Sequence, residues 1–212
     1  MVITILNENS NHKKEINTPQ GQVFIEGPVK RDYIASLLID PQLSNFRNPV
    51  RQKEALMIVA NSPEGMVYIA RHGKNIIGYV SFHVPSPYTR WSKHPRILEL
   101  GAIEVSTRWR RFGIAANLLK ETFQNNLLEE YIIIICEFQQ HWDLRGTKMN
   151  AWNYQRMLAR LYGSEGFKKR RTDDPEILEH PSNMFLARFG RKVNSAYIKA
   201  FEELTYQQSL VE

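Results

Sequence analysis

Residues Leu98 to Lys120, LELGAIEVSTRWRRFGIAANLLK, leave this chain few ways to fold. The apolar run Leu98 to Val105 has strand length and stops at the turn formers Ser106-Thr107. Arg110-Arg111-Phe112-Gly113-Ile114-Ala115 comes next, and Ala115, Ala116, Leu118, Leu119 and Phe123 then carry helical spacing. Strand, short basic turn and helix together aim free backbone N–H groups and the positive end of a helix dipole at an anion. Gly113 lets backbone approach that anion, and Ala115 keeps the following turn thin. The turn has neither the Lys-Ser/Thr of a nucleotide P-loop nor the G-x-G-x-x-G of a dinucleotide fold. The plain alternative is an ordinary β-turn-α connection with solvated arginines.

The flanking segments alternate strands and helices. Gln22 to Glu26 reads as a strand closed by Gly27-Pro28, Arg31 to Ile39 as a helix, and Arg51 to Ala60 as another. Met66–Arg71 and Ile76–Phe82 flank His72-Gly73-Lys74-Asn75 as a hairpin. Tyr131 to Phe138 is continuously apolar, as a strand buried on both faces is. A helix over Ala151–Tyr162, a strand over Asn183–Arg188 and an amphipathic helix with Tyr197, Phe201 and Leu204 complete the pattern. Residues 1–20 read as a flexible leader before a domain over 21–208.

Composition removes several classes of function. At 42% hydrophobic residues with no run near 18 apolar positions, no membrane span is expected. The start, MVITILNENSNHKKEI, lacks the pattern of a signal peptide, so a cytoplasmic location is expected. One cysteine, Cys136, and scattered histidines give no metal-ligand spacing, so no metal is expected. The net charge of +6 comes from dispersed residues without a nucleic-acid motif, so no nucleic-acid partner is expected.

In this order of elements, the Leu98–Lys120 stretch resembles the acetyl-CoA pyrophosphate loop of the GNAT superfamily of N-acetyltransferases. The resemblance implies a single-domain α/β fold, a twisted mixed β-sheet flanked by helices. It implies acetyl-CoA as cosubstrate, held by Arg110, Arg111, Phe112, Gly113, Ile114, Ala115 and Ala116 and by the strand residues Ile103, Glu104 and Val105. Acetyl transfer to an amine then needs a neutral amine, a stabilised oxyanion and a proton for the departing thiolate. A lysine, with a pKa of about 10.4, is protonated at neutral pH and needs a base. Glu99 lies where lysine-directed GNAT enzymes carry a strand glutamate, and alternation sets it on one face with Gly101, Ile103 and Val105. Glu104 on the opposite face, Glu137 on the next strand and His141 are the competing bases. Tyr162, in Tyr162-x-x-x-Gly166-Phe167, matches the helix end at which many GNAT chains place the thiolate's acid; packing of that helix end is the alternative.

Further segments narrow the match: Ile25 to Val29, His141-Trp-Asp-Leu144, Thr172 to Ile177 and Ala187-Arg188. They resemble the acetoin-utilisation acetyltransferases of Gram-positive bacteria from about residue 20 to 200. That resemblance implies a protein-lysine N-acetyltransferase whose substrate is AMP-forming acetyl-CoA synthetase, switched off by the modification. The basic loop with Arg90, Lys93, His94 and Arg96 would then meet an acidic surface on the synthetase. An acetyltransferase for small amines and a non-catalytic acetyl-CoA-binding regulator are the competing readings.

Overall fold

The hairpin read from the sequence lies inside a mixed sheet. A computed structural model describes residues 12–206 and divides them into two compact units that share one strand. The first unit begins with strands β1 (His12–Thr18) and β2 (Gly21–Gly27), paired antiparallel from His12↔Gly27 to Thr18↔Gly21. Helix α1 (Arg31–Ser36) leads to the short strand β3 (Leu38–Ile39), and α2 (Pro49–Asn61) follows. The side chain of Asn48 caps α2 by accepting from Val50 N–H, and Pro49 supplies a preset first helical position. Strands β4 (Met66–His72) and β5 (Asn75–His83) form the expected hairpin, turning at Gly73 with φ +57°. The shared strand is β6 (Ile97–Val105), and α3 (Ile114–Thr122) closes the unit. Strand order here is β1-β2-β4-β5-β6. Ile34, Leu43, Leu56, Val67, Ile69 and Tyr79 form one core between α1, α2 and the sheet.

The second unit takes the start of β6, pairs it in parallel with β7 (Ile132–Glu137) from Ile97↔Ile132 to Glu99↔Ile134, and continues to the sheet edge. Next along the chain are α4 (Leu144–Thr147), α5 (Ala151–Gly163), β8 (Lys168–Arg170), α6 (Pro175–Leu178), β9 (Met184–Phe189) and α7 (Ser195–Thr205). Their sheet order is β6-β7-β9-β8. One face of β7 carries Ile132, Ile134 and Cys136 against Phe185, Trp91 and, from α7, Phe201. Trp91 stacks on Phe185 with ring centroids 4.5 Å apart. Alternation turns Ile133, Ile135 and Glu137 to the other face.

Three expectations change. Residues 12–18 form β1 within the segment read as a leader; residues 1–11 lie outside the described ones. Exposed Lys13, Glu15 and Asn17 alternate along it, the polar guard of an edge strand, and that polarity hides a strand from hydrophobic patterning. The helix expected through Ile39 stops at Ser36, because Lys74 and Ile76 carbonyls accept from Leu38 and Asp40 N–H and draw the chain into the sheet. The Pro85–Pro95 loop folds inward as a short 3₁₀ turn, Arg90–Lys93, with Trp91 only 2% exposed.

Candidate active site

The loop between β6 and α3 is held from behind. Gln42 Oε1 accepts from Thr107 Oγ1 at 2.6 Å, Arg108 N–H at 3.0 Å and Ser106 Oγ at 3.2 Å. Buried Trp109 packs on His72, centroids 5.0 Å apart. Arg110 Nε donates to Val105 O at 3.1 Å, which ties the guanidinium to the strand end. Beyond it, Arg111 and Gly113 both take left-handed backbone, φ +69° and +73°. For Arg111 that conformation costs about 1–2 kcal/mol, and such strain gathers at ligand-binding turns. Gly113 is the N-cap of α3, and no side chain caps that end. Helix geometry therefore presents the N–H groups of Ile114, Ala115 and Ala116 without helical partners. Ile114 is buried while Arg111, Gly113 and Ala116 are exposed, so the turn offers backbone donors and one exposed cation to an anion.

On β6, Ile103 is half-buried, and Glu104 and Val105 are buried. The Glu104 carboxylate accepts from Tyr79 OH at 2.7 Å and from Asn45 N–H at 2.9 Å, pinning the segment before α2 to the strand. Burial raises its pKa despite those bonds. Glu99, Gly101 and Ile103 form the more open face of the strand. Against Gly101 lies the His83 imidazole: a Cβ there would collide with its Nε2. Sequence reading missed His83, although a glycine inside a strand signals such close approach.

In the second unit, burial pushes the Cys136 thiol up, and the negative charges of Glu99, Asp174, Glu176 and Glu137 add to the effect. A thiol so held is a poor nucleophile, which disfavours an acetyl-cysteine intermediate. Glu137, on the opposite face of β7, accepts from Tyr162 OH and from Trp142 Nε1–H. Trp142 in turn stacks on Tyr154 with centroids 5.3 Å apart. Burial raises the Glu137 pKa although both donors favour the carboxylate. Burial, then the Glu137 charge, raises the pKa of Tyr162, which is 1% exposed. Exposed His141 lies on a 3₁₀ turn with its ring 6.0 Å from that of Phe138.

The loop and strand residues expected around the cofactor thus share the first unit, whereas Glu99, Glu137, His141 and Tyr162 belong to the second. Tyr162→Phe should cost about 1–3 kcal/mol of stability, since it removes a hydrogen bond to the Glu137 carboxylate. A glutamate whose native pKa is raised loses stability as pH rises past its unfolded value. Removing the phenol raises that pKa further, so the melting-temperature gap to wild type should be wider at pH 8 than at pH 5. A slower turnover at unchanged stability would instead make Tyr162 the thiolate's acid.

A family model described as "Acetyltransferase (GNAT) family" matches residues 29–129. The acetoin utilization protein AcuA of Bacillus licheniformis is 39% identical over 92% of this chain and 94% of its own length. AcuA of Bacillus subtilis is 37% identical over the same shares. The crystal structure of an acetoin utilization protein from Exiguobacterium sibiricum superposes with a TM-score of 0.93 at 39% identity, covering 97% of this chain and 98% of that one. A GNAT phosphinothricin acetyltransferase from Sinorhizobium meliloti, solved in complex with AcCoA, shares the fold at 13% identity and a TM-score of 0.52, covering 82% and 91%. The mixed α/β architecture, the loop geometry and these similarities agree: the chain belongs to the GNAT family of acetyltransferases and is an acetyl-transferring enzyme.

Proposed function

We propose that this enzyme moves the acetyl group of acetyl-CoA to a lysine of AMP-forming acetyl-CoA synthetase, within acetoin and acetate metabolism. The observation that carries the reading is the likeness to acetoin utilization proteins over 92% of the chain, far past the 29–129 stretch that matches the general family. Generic acetyl-CoA binding does not require similarity there, and a shared acceptor accounts for it. Among the described residues no helix is long and apolar enough to cross a membrane.

In this reading the uncapped start of α3, with Arg111 and Gly113, takes the pyrophosphate, and Ile103 to Val105 offer backbone groups to the rest of the cosubstrate. Glu99 takes a proton from the acceptor ammonium. The freed nitrogen attacks the thioester carbon, the C–S bond breaks, and coenzyme A leaves as a thiolate that takes up the second proton the nitrogen sheds in becoming an amide. Tyr162 gives its hydroxyl proton to the bond with Glu137, which supports a positioning role. Acetylation removes the charge of the target lysine. Purified synthetase incubated with this protein and acetyl-CoA should lose adenylate formation and carry one acetylated lysine by mass spectrometry. A fully active, unmodified synthetase beside rapid acetylation of small amines would make this a small-molecule acetyltransferase. No transfer to either would leave an acetyl-CoA-binding regulator.

A further inference from the structure

The loop that looks from its sequence like a docking surface has already used the charge of both its arginines. Arg90 pairs with Asp173 and donates to Leu204 O at 3.2 Å. The His94 ring bonds Tyr197 O at 2.9 Å, and Arg96 pairs with Glu130 at 3.6 Å while lying over the Tyr131 and Tyr197 rings. The unpaired charge lies elsewhere in the second unit. Residues 144–171 hold eight cations and a single acid, Glu165, a net +7, whereas the whole chain carries +6. The remainder of the chain is therefore slightly negative. The excess positive charge, expected to be dispersed, is concentrated here.

Seven of those eight cations are exposed, and among the described residues none of the seven is in an ion pair. Elsewhere in the same unit Arg90, Arg96, Arg188 and Arg191 each have a carboxylate. A surface that serves only solubility mixes its signs, and concentrated like charge repels itself. On α5 the row Trp152, Arg156, Arg160 recurs every four residues and faces solvent; Arg145 and Lys148 precede it, and the Lys168–Arg171 run follows. Trp152 is 53% exposed and Met149 36% exposed. An exposed tryptophan among arginines is the composition of an interface anchor. A single-stranded nucleic acid would instead call for a groove with successive aromatic platforms, and this helix face shows one.

We propose that the α4–α5–β8 surface docks an acidic patch on the protein acceptor, with Trp152 as the apolar anchor and Arg156 and Arg160 as the charged contacts. This rests on the reading of a protein substrate given above. Charge of this kind speeds encounter and fixes orientation more than it alters chemistry.

The test is the double variant Arg156→Glu/Arg160→Glu, with Trp152→Ala as a second protein, each assayed on purified synthetase and on a free lysine derivative. The charge variant should raise KM for the synthetase about tenfold or more, weaken the fall of rate with ionic strength, and leave kcat, the free-lysine rate and acetyl-CoA affinity unchanged. Trp152→Ala should raise the same KM without changing the salt dependence. Wild-type KM and salt dependence in the charge variant, with the synthetase still acetylated, would overturn the docking surface and leave the acceptor reading intact. A synthetase untouched by the wild-type protein would overturn the acceptor reading itself. Loss of acetyl-CoA affinity would give the patch to the cosubstrate. Charge-dependent retention of single-stranded DNA with synthetase kinetics unchanged would give it to nucleic acid.

Discussion

Glu99→Gln is expected to slow acetyl transfer by roughly 10²–10⁴ at neutral pH, the range that loss of a general base covers, with acetyl-CoA affinity unchanged. The substitution keeps the shape of a half-buried side chain and removes its ability to accept a proton. Wild type should then show a shallow pH profile. The variant should gain about tenfold per pH unit as solvent deprotonates more of a lysine whose pKa is about 10.4. The other carboxylates are less ready for the role. Glu104 is buried and held by Tyr79 and Asn45. Glu137 is held by Tyr162 and Trp142, and alternation turns it from the face that carries Ile134 and Cys136. Single-turnover rates on the acceptor from pH 6 to 10 decide the matter. Near wild-type turnover in Glu99→Gln would pass the role to Glu104, Glu137 or His141, and would bring in His83, which lies against Gly101 on the open face of β6.

What could be read from the sequence followed from how local its causes are. The Leu98–Lys120 unit, the hairpin around Gly73 and helix α5 are written in contiguous periodicity and turn residues, and their boundaries fall within a residue or two of expectation. Strand β1 depends on a partner, not on its own apolar pattern, and β8 is three residues long, so neither has a signal of its own. The 85–96 loop looked available to a partner's acidic surface because Asp173, which pairs with Arg90, lies 83 positions away. Glu104 shows both sides of the limit. Alternation set it opposite Glu99, yet nothing nearby told that Tyr79 and Asn45 would hold its carboxylate. For the site, the residue types and their strand or loop positions were legible. The commitments of their polar atoms required the fold.

Gly113→Asp should fold nearly as well as wild type and bind acetyl-CoA at least a hundredfold more weakly. Gly113 has φ +73°, and a Cβ there would meet only Asn117 Nδ2, at 3.5 Å, so the penalty is conformational and not steric. Aspartate is among the residues that tolerate this region best, and it is a favoured N-cap that satisfies the first N–H groups of a helix. About 1–2 kcal/mol of backbone strain is thus largely offset by about 1 kcal/mol of capping. Affinity suffers for the same reason that stability does not. The new carboxylate would occupy the N–H groups of Ala115 and Ala116 that the uncapped helix offers to an anion, and would repel that anion. Charge-assisted hydrogen bonds contribute roughly 1.5–3 kcal/mol each, so losing two amounts to about a hundredfold or more. Gly113→Asn separates charge from shape, since it caps and strains alike but carries no charge, and it should lose distinctly less affinity. Calorimetric titration with acetyl-CoA beside thermal melts reads all three proteins. If folded Gly113→Asp bound as tightly as wild type, the loop between β6 and α3 would not be where the pyrophosphate sits.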